Sequence, residues 1–180
     1  MEKKLYAFVV CCFLCFNAFS QRTEKDAFVT PDKKNIGYDI FSFTDFSIHT
    51  FIIIIPSDQT ERNYLIDLLK RQKGLEKYRV QFYIPDASIG AESSEKQKQE
   101  FVGLVDYITG RKKLIDSNFF IVAPINKSFL SEHYLSLTDS GKYENNKLHR
   151  PKGTVTLEKN IKITDKYLLE LLEKDRNTYP

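Results

Sequence analysis

Phe51-Ile52-Ile53-Ile54-Ile55-Pro56 is the stretch on which the fold turns. Five consecutive apolar residues leave no polar face, and only a strand covered on both sides uses such a run economically. Pro56 cannot donate to a strand ladder and ends the run. Asp58 and Glu61 follow with the spacing of a capping box, in which side-chain oxygens accept the free N–H groups of a first helical turn. Leu65, Ile66, Leu68 and Leu69 then form one apolar stripe, Lys70, Arg71 and Lys73 complement the negative helix end, and Gly74 ends the helix.

The same grammar recurs downstream. A second strand is expected from Tyr78 to Ile84, closed by Pro85, and a second helix from Ser94, which has Gln97 three residues on. Phe101, Leu104, Val105 and Ile108 share one side of that helix, while its wholly polar first turns, Glu95 to Glu100, are expected in water. Phe119 to Ala123 reads as a third buried strand ended by Pro124. Two β-α-β units in succession imply parallel strands joined by right-handed crossovers, with helices on the faces of the sheet.

Outside this centre, Ile40, Phe41, Phe43, Phe46 and Ile48 predict a strand pair or one bent strand beginning near Tyr38. A third helix is expected over residues 129–137 and a long surface loop over 138–152. Val155 and Leu157, then Ile161 and Ile163, suggest one or two short strands, and Thr164 can cap a last helix carrying Leu168, Leu171 and Leu172. The expected class is α/β, a three-layer sandwich with a mainly parallel sheet and an antiparallel N-terminal strand or hairpin. Residues 38–180 form the single expected domain, preceded by a polar lead-in over 21–37.

The first twenty residues carry an address. Lys3 and Lys4 precede an apolar run from Leu5 to Phe16, and Ala18 and Ser20 are small residues at the positions a signal peptidase reads before Gln21. The run is shorter than the ~20 residues of a spanning helix, so the expectation is a cleaved signal peptide over 1–20, an exported (periplasmic or secreted) protein, and no stable membrane span after cleavage. Cys11, Cys12 and Cys15 all fall in that segment, so a chain starting at Gln21 has no thiol for a disulfide, a nucleophile or a zinc site.

Composition narrows the partners. The whole chain of 180 residues has 27 Lys+Arg against 24 Asp+Glu, a net charge of +3 with no long single-sign block, so nucleic acid is not an expected partner. Partners remain otherwise unknown. The seven glycines are scattered and make neither a dinucleotide fingerprint nor a P-loop, and His49, His133 and His149 show no zinc spacing. No cofactor, no metal site and no catalytic residue is assigned. A Gly-x-Ser-x-Gly elbow is also absent.

The positive signal is a shared ending. The three central strands run into Ile55-Pro56-Ser57-Asp58, Ile84-Pro85-Asp86-Ala87-Ser88 and Ala123-Pro124-Ile125-Asn126-Lys127-Ser128. These are the carboxyl ends of parallel strands, the edge at which open α/β sheets bind ligands. Ser57, Asp58, Asp86, Ser88, Asn126 and Lys127 are therefore the candidate ligand-binding residues, against the plain alternative that Pro ends strands and Ser, Asp and Asn cap helices. Asn126-Lys127-Ser128 also matches the glycosylation sequon.

Two resemblances bear on function. Residues 51–88, FIIIIPSDQTERNYLIDLLKRQKGLEKYRVQFYIPDAS, resemble the opening β-α-β of family-2-type glycosyltransferases of the GT-A fold. That resemblance implies Pro56 and Ser57 beside a nucleotide and Asp86 on its base, although no Asp-x-Asp metal motif follows. The element order is also similar to part of an α/β-hydrolase, with Ala123-Pro124-Ile125-Asn126-Lys127 where the nucleophile elbow belongs and no serine at its centre. This second resemblance implies a catalytically silent relative. The reading is an exported α/β domain with a binding or interaction role favoured over catalysis, the alternative being a degenerate hydrolase-like or glycosyltransferase-like enzyme.

Overall fold

The computed structural model describes residues 21–44, 48, 50–111, 118–139, 149–159 and 162–178. Their elements, in chain order, are β1 (Arg22–Val29), β2 (Asn35–Ser42), β3 (Thr50–Ile54), α1 (Gln59–Arg71), β4 (Val80–Pro85), α2 (Glu95–Arg111), β5 (Asn118–Pro124), α3 (Ser128–Asp139), β6 (Gly153–Leu157) and α4 (Asp165–Thr178). The strands make one six-stranded sheet in the order β1-β2-β4-β3-β5-β6. β3 is parallel to both of its neighbours, with Ile52 opposite Phe82 on one side and Phe120 on the other. β5 and β6 are parallel, whereas β1-β2 and β2-β4 are antiparallel. The class is α/β, as the buried strands implied.

Every residue of β3 is buried, and the two-residue period of the strand divides them between two cores. Phe51, Ile53 and Ile55 face α2 and α3 through Phe101, Leu104, Val105, Leu130 and Tyr134. Ile52 and Ile54 face α1 and α4 through Leu65, Leu68, Leu69, Leu168 and Leu172. Three layers result.

A single crossover handedness accounts for which helix lies where. From β3 to β4 the chain steps toward the β1 edge and puts α1 on one face. From β4 to β5 it steps back over β3 toward the β6 edge, which puts α2 on the other face, and the further step to β6 leaves α3 beside α2.

The structure departs from the expectations at the margins. Eight of the residues read as a polar lead-in form β1, paired residue by residue with β2 from Arg22 opposite Ser42 to Val29 opposite Asn35. An edge strand with one face in water needs few apolar residues, so Arg22, Glu24, Lys25 and Asp26 hid it. Of the strand pair or single bent strand expected from Tyr38, the described residues hold one strand, β2, which begins already at Asn35, and its hairpin partner lies upstream. Glu100 is not in water but 6% exposed, its Oε2 accepting from Lys34 Nζ at 2.8 Å. The tight turn between β1 and β2 folds over the start of α2 and brings that lysine down, helped by Asp32, which pairs with Lys96 at 2.7 Å. The ion pair and a hydrogen bond to Thr30 hold the Asp32 carboxyl near 2, well below the usual range. Near the C-terminus, β6 ends at Leu157, and Ile163 packs in the α1/α4 core ahead of α4, whose Thr164 Oγ1 accepts from the Tyr167 N–H.

Residues 1–20 with their cysteines, Phe46, His49 and most of the expected 138–152 loop lie outside the described residues. Among those described, no helix is long and apolar enough to cross a membrane.

Phe28 separates a lead-in from a strand of the domain. Its ring packs against Tyr107 at 5.6 Å between centroids and lies over Gly103, where a Cβ would meet it at 2.7 Å. Phe28→Ala is expected to cost about 2 kcal/mol in urea denaturation. No loss of stability would mean that β1 does not dock on α2.

Candidate functional site

The alternation of helices between faces opens a crevice at a definite place. After β3 the chain turns toward the α1/α4 face, and after β5, its neighbour, toward the α2/α3 face. Loops that diverge from adjacent parallel strands leave the gap that ligands use in open α/β sheets. A cleft of about 780 Å³ occupies that position, between the carboxyl ends of β3, β5 and β6.

Its first wall is the start of α1. Asp58 is the N-cap, accepting from the Glu61 N–H at 2.8 Å, and Glu61 reaches back to accept from the Ser57 N–H at 2.6 Å. The reciprocal pair is the capping box expected from the sequence, and it places two carboxylates and Ser57 on the cleft. One turn on, Tyr64 lines the same wall and donates from its hydroxyl to the Ile163 carbonyl at 3.1 Å, tying α1 to the segment leading into α4. Leu157, Glu158, Lys159 and Lys162 form the opposite wall.

The floor is the turn after β5. Pro124 leaves the strand in extended conformation, and Ile125–Lys127 make one 3-10 turn that runs directly into α3. Ile125 and Asn126 line the cleft, and Ile125 is 54% exposed, one of two large apolar side chains in the described residues so open to solvent. This turn is relaxed. Among the described residues, the non-glycine positions with φ in the left-handed region are Lys33 and Arg79, both far from it in sequence. A nucleophile elbow is by contrast a sharp, strained strand-to-helix turn with a serine thrust out at its tip.

Lys127 leaves the floor in the other direction. It is 2% exposed, and its Nζ donates to the Ala87 and Ile89 carbonyls, each at 2.8 Å. The β5 turn is thereby fastened to the loop after β4, across the end of β3. Gly90 closes that loop with φ +67° beneath Leu130 and the Lys127 stem, where a Cβ would meet Leu130 Cδ1 at 2.5 Å. Burial pulls the Lys127 pKa down to about 8, against the opposing pull of the Glu61 and Asp58 carboxylates. Two acceptors suit the two N–H bonds of a neutral amine, which makes the uncharged form tolerable in this position.

The six candidates thus divide. Ser57, Asp58 and Asn126 line the cleft, and Lys127 braces its floor from below. Asp86 faces elsewhere: its Oδ2 accepts from the Gly37 N–H at 2.9 Å and its Oδ1 pairs with Arg62 at 3.1 Å. Arg62 also pairs with Asp39, 3% exposed in its side chain, at 2.6 Å and donates from Nε to the Pro85 carbonyl at 3.2 Å. This cluster ties β2, β4 and α1 together. Ser88 is exposed on the loop after β4, away from the cleft lining.

Thr60, Glu61, Tyr64, Ile125, Leu157, Glu158, Lys159 and Lys162 also line the cleft, though none is among the six candidates. Tyr64, three residues past Glu61, is the one its spacing could have singled out, because the helix phase puts it on the capped side of α1. His133 Nε2 lies 3.8 Å from Glu95, and the His149 carbonyl accepts from Tyr134, so neither histidine lines the cleft. Among the described residues no group of three His, Cys, Asp or Glu side chains could hold a metal ion.

No protein-family model matches the chain, and no curated protein matches it. Its shape has counterparts among solved structures. The esterase LipW from Mycobacterium marinum superposes with a TM-score of 0.51 at 7% identity, over 86% of this chain and 49% of that one. An esterase from Rhizomucor miehei gives 0.50 at 13% identity, over 83% and 49%, and a carboxylesterase from Lactobacillus plantarum 0.50 at 8%, over 75% and 55%. The chain therefore spans about half the length of these structures. At such identities the likeness is one of fold, the fold of α/β-hydrolases, in keeping with the element order read from the sequence. The glycosyltransferase resemblance of residues 51–88 gains no support.

Replacing Lys127 by Met leaves two carbonyls without their donor and is expected to cost about 2–4 kcal/mol at pH 7. Below pH 8 the lysine is protonated in folded and unfolded chains alike. Between pH 8 and 10.5 the unfolded chain holds a proton that the folded chain has released, so wild-type stability rises with pH and falls again as pH returns through 8. Denaturation at pH 7.5, 9 and 10 should show the gap between wild type and Lys127→Met widening with pH, by on the order of 2 kcal/mol. A constant gap would contradict the burial of this amine.

Proposed function

We propose that this chain is an exported ligand-binding protein built on the α/β-hydrolase fold, with the cleft at the ends of β3, β5 and β6 as its binding site and no hydrolytic step. The observation that carries the reading is the relaxed turn after β5, which presents Ile125 and Asn126 to the cleft. Acyl transfer at that position needs a nucleophile held out on a strained turn and a base within hydrogen-bond reach. Ile125 supplies neither a nucleophile nor a proton acceptor. An exposed isoleucine at the bottom of a concave, partly charged surface suits instead the apolar contact of a bound molecule.

Export rests on the residues before Gln21, and N-terminal sequencing of the chain recovered from cell fractions tests it. A chain from the medium or periplasm starting at Gln21 is expected. A cytoplasmic chain retaining Met1 would overturn that part.

The site itself is tested with two probes. The neutral dye N-phenyl-1-naphthylamine should give a saturable fluorescence increase that Ile125→Glu reduces at least about tenfold in affinity, since a buried charge cannot face an apolar ring. p-Nitrophenyl acetate and butyrate should be hydrolysed no faster than in buffer. Saturable ester hydrolysis lost in Ile125→Glu would show that the cleft is catalytic and would overturn the reading.

A further inference from the structure

The two ends of the cleft carry opposite charge. At the α1 end stand Asp58 and Glu61, each with one carboxylate oxygen taken by a backbone N–H of the capping box and a second oxygen outside it. At the other end stand Lys159 and Lys162 with Glu158, an excess of one positive charge, all three exposed. Neither lysine forms an ion pair with a described carboxylate, and both border the cleft. Between the two ends lie the apolar side chains of Pro124 and Ile125 on the floor and of Leu157 at the foot of the opposite wall.

The sheet sets the scale. The carboxylates follow β3 and the lysines follow β6, with β5 between them, so two strand spacings, about 10 Å, separate the strands from which the two walls spring. A ligand spanning that cleft would meet acceptors at one end, ammonium donors at the other and carbon in the middle. A simple anion satisfies only the lysine end and faces two carboxylates across the floor. A simple cation meets the reverse difficulty.

Building on the binding site proposed above, we infer that the cleft takes a zwitterion of peptide dimensions: an apolar di- or tripeptide with free termini, its ammonium toward Asp58 and Glu61, its carboxylate toward Lys159 and Lys162, and an apolar side chain on Ile125. Charge complementarity of this kind fixes orientation and rejects blocked ends, because a neutralised terminus leaves the facing charges without a counter-charge. No bond is made or broken in the step.

The test is calorimetric titration of the full chain with trileucine, N-acetyl-trileucine and trileucine amide. Trileucine should bind at least about tenfold more tightly than either blocked form. The exposed double substitution Lys159→Gln with Lys162→Gln should abolish the preference for free acid over amide and leave the preference for the free amine. Glu61→Gln, whose amide oxygen still accepts from Ser57 in the capping box, should weaken the preference for the free amine. Equal binding of all three peptides, lost in Ile125→Glu, would overturn the zwitterion while sparing the cleft as a binding site. Binding of none of them would overturn it as well, and the fluorescent probe would then report separately on whether the cleft binds apolar molecules.

Discussion

The structure depends on the need to cover both faces of one strand. β3 has no polar side to give to water, so helices must pack above and below it, and a chain with one crossover handedness can supply them only by stepping first to one side of β3 and then to the other. That back-and-forth path produces the order β4-β3-β5 at the centre of the sheet. It also sends the loops after β3 and β5 to opposite faces. The crevice between them is thus a by-product of burying five apolar residues, and the cleft lies there with no separate device to open it.

What fills the rim is a second matter, decided locally. Capping needs of α1 bring Asp58 and Glu61 to the cleft, because the free N–H groups of a first turn must be met by acceptors. Those carboxylates also lie near enough to the buried Lys127 amine to resist the loss of its proton. Lys127 spans from the β5 turn to the loop after β4, and Arg62 joins β2, β4 and α1 on the other side of β3. Two long basic side chains therefore stiffen the loops at the ends of the central strands. On that floor Ile125 stands 54% exposed.

The sequence made the centre legible and the margins obscure, for physical reasons. Phe51–Ile55 could be read because a strand covered on both faces leaves an unbroken apolar run, and α1 because its N-terminal cap and apolar stripe agree, although the helix stops at Arg71, with Gln72 already extended, short of the expected Gly74. β1 escaped because an edge strand shares its alternation of charged and neutral residues with an ordinary loop. Glu100 and Asp39 escaped because a carboxylate looks exposed until its lysine or arginine arrives from another element, here Lys34 and Arg62. At the rim, the shared strand ending named Ser57, Asp58 and Asn126, which line the cleft, but also Lys127 and Ser88, which do not: the lysine is buried beneath the floor and the serine stands exposed on the loop after β4. It also proposed Asp86, which the sheet uses to hold Gly37 and Arg62. Lys159 and Lys162 are polar positions of a segment whose alternation pointed only to short strands, and the position of β6 beside β5 brings them to the cleft.

The most direct measurement is a set of inter-strand nuclear Overhauser effects on the labelled chain. Antiparallel pairs bring facing α-protons close together, and parallel pairs do not. Strong Hα–Hα contacts are expected between β1 and β2, none between β3 and either β4 or β5, and amide contacts that place Ile52 between Phe82 and Phe120. Strong Hα–Hα contacts between β3 and β4, or Ile52 lacking one of those two neighbours, would contradict that arrangement and remove the crevice from which the binding site is argued.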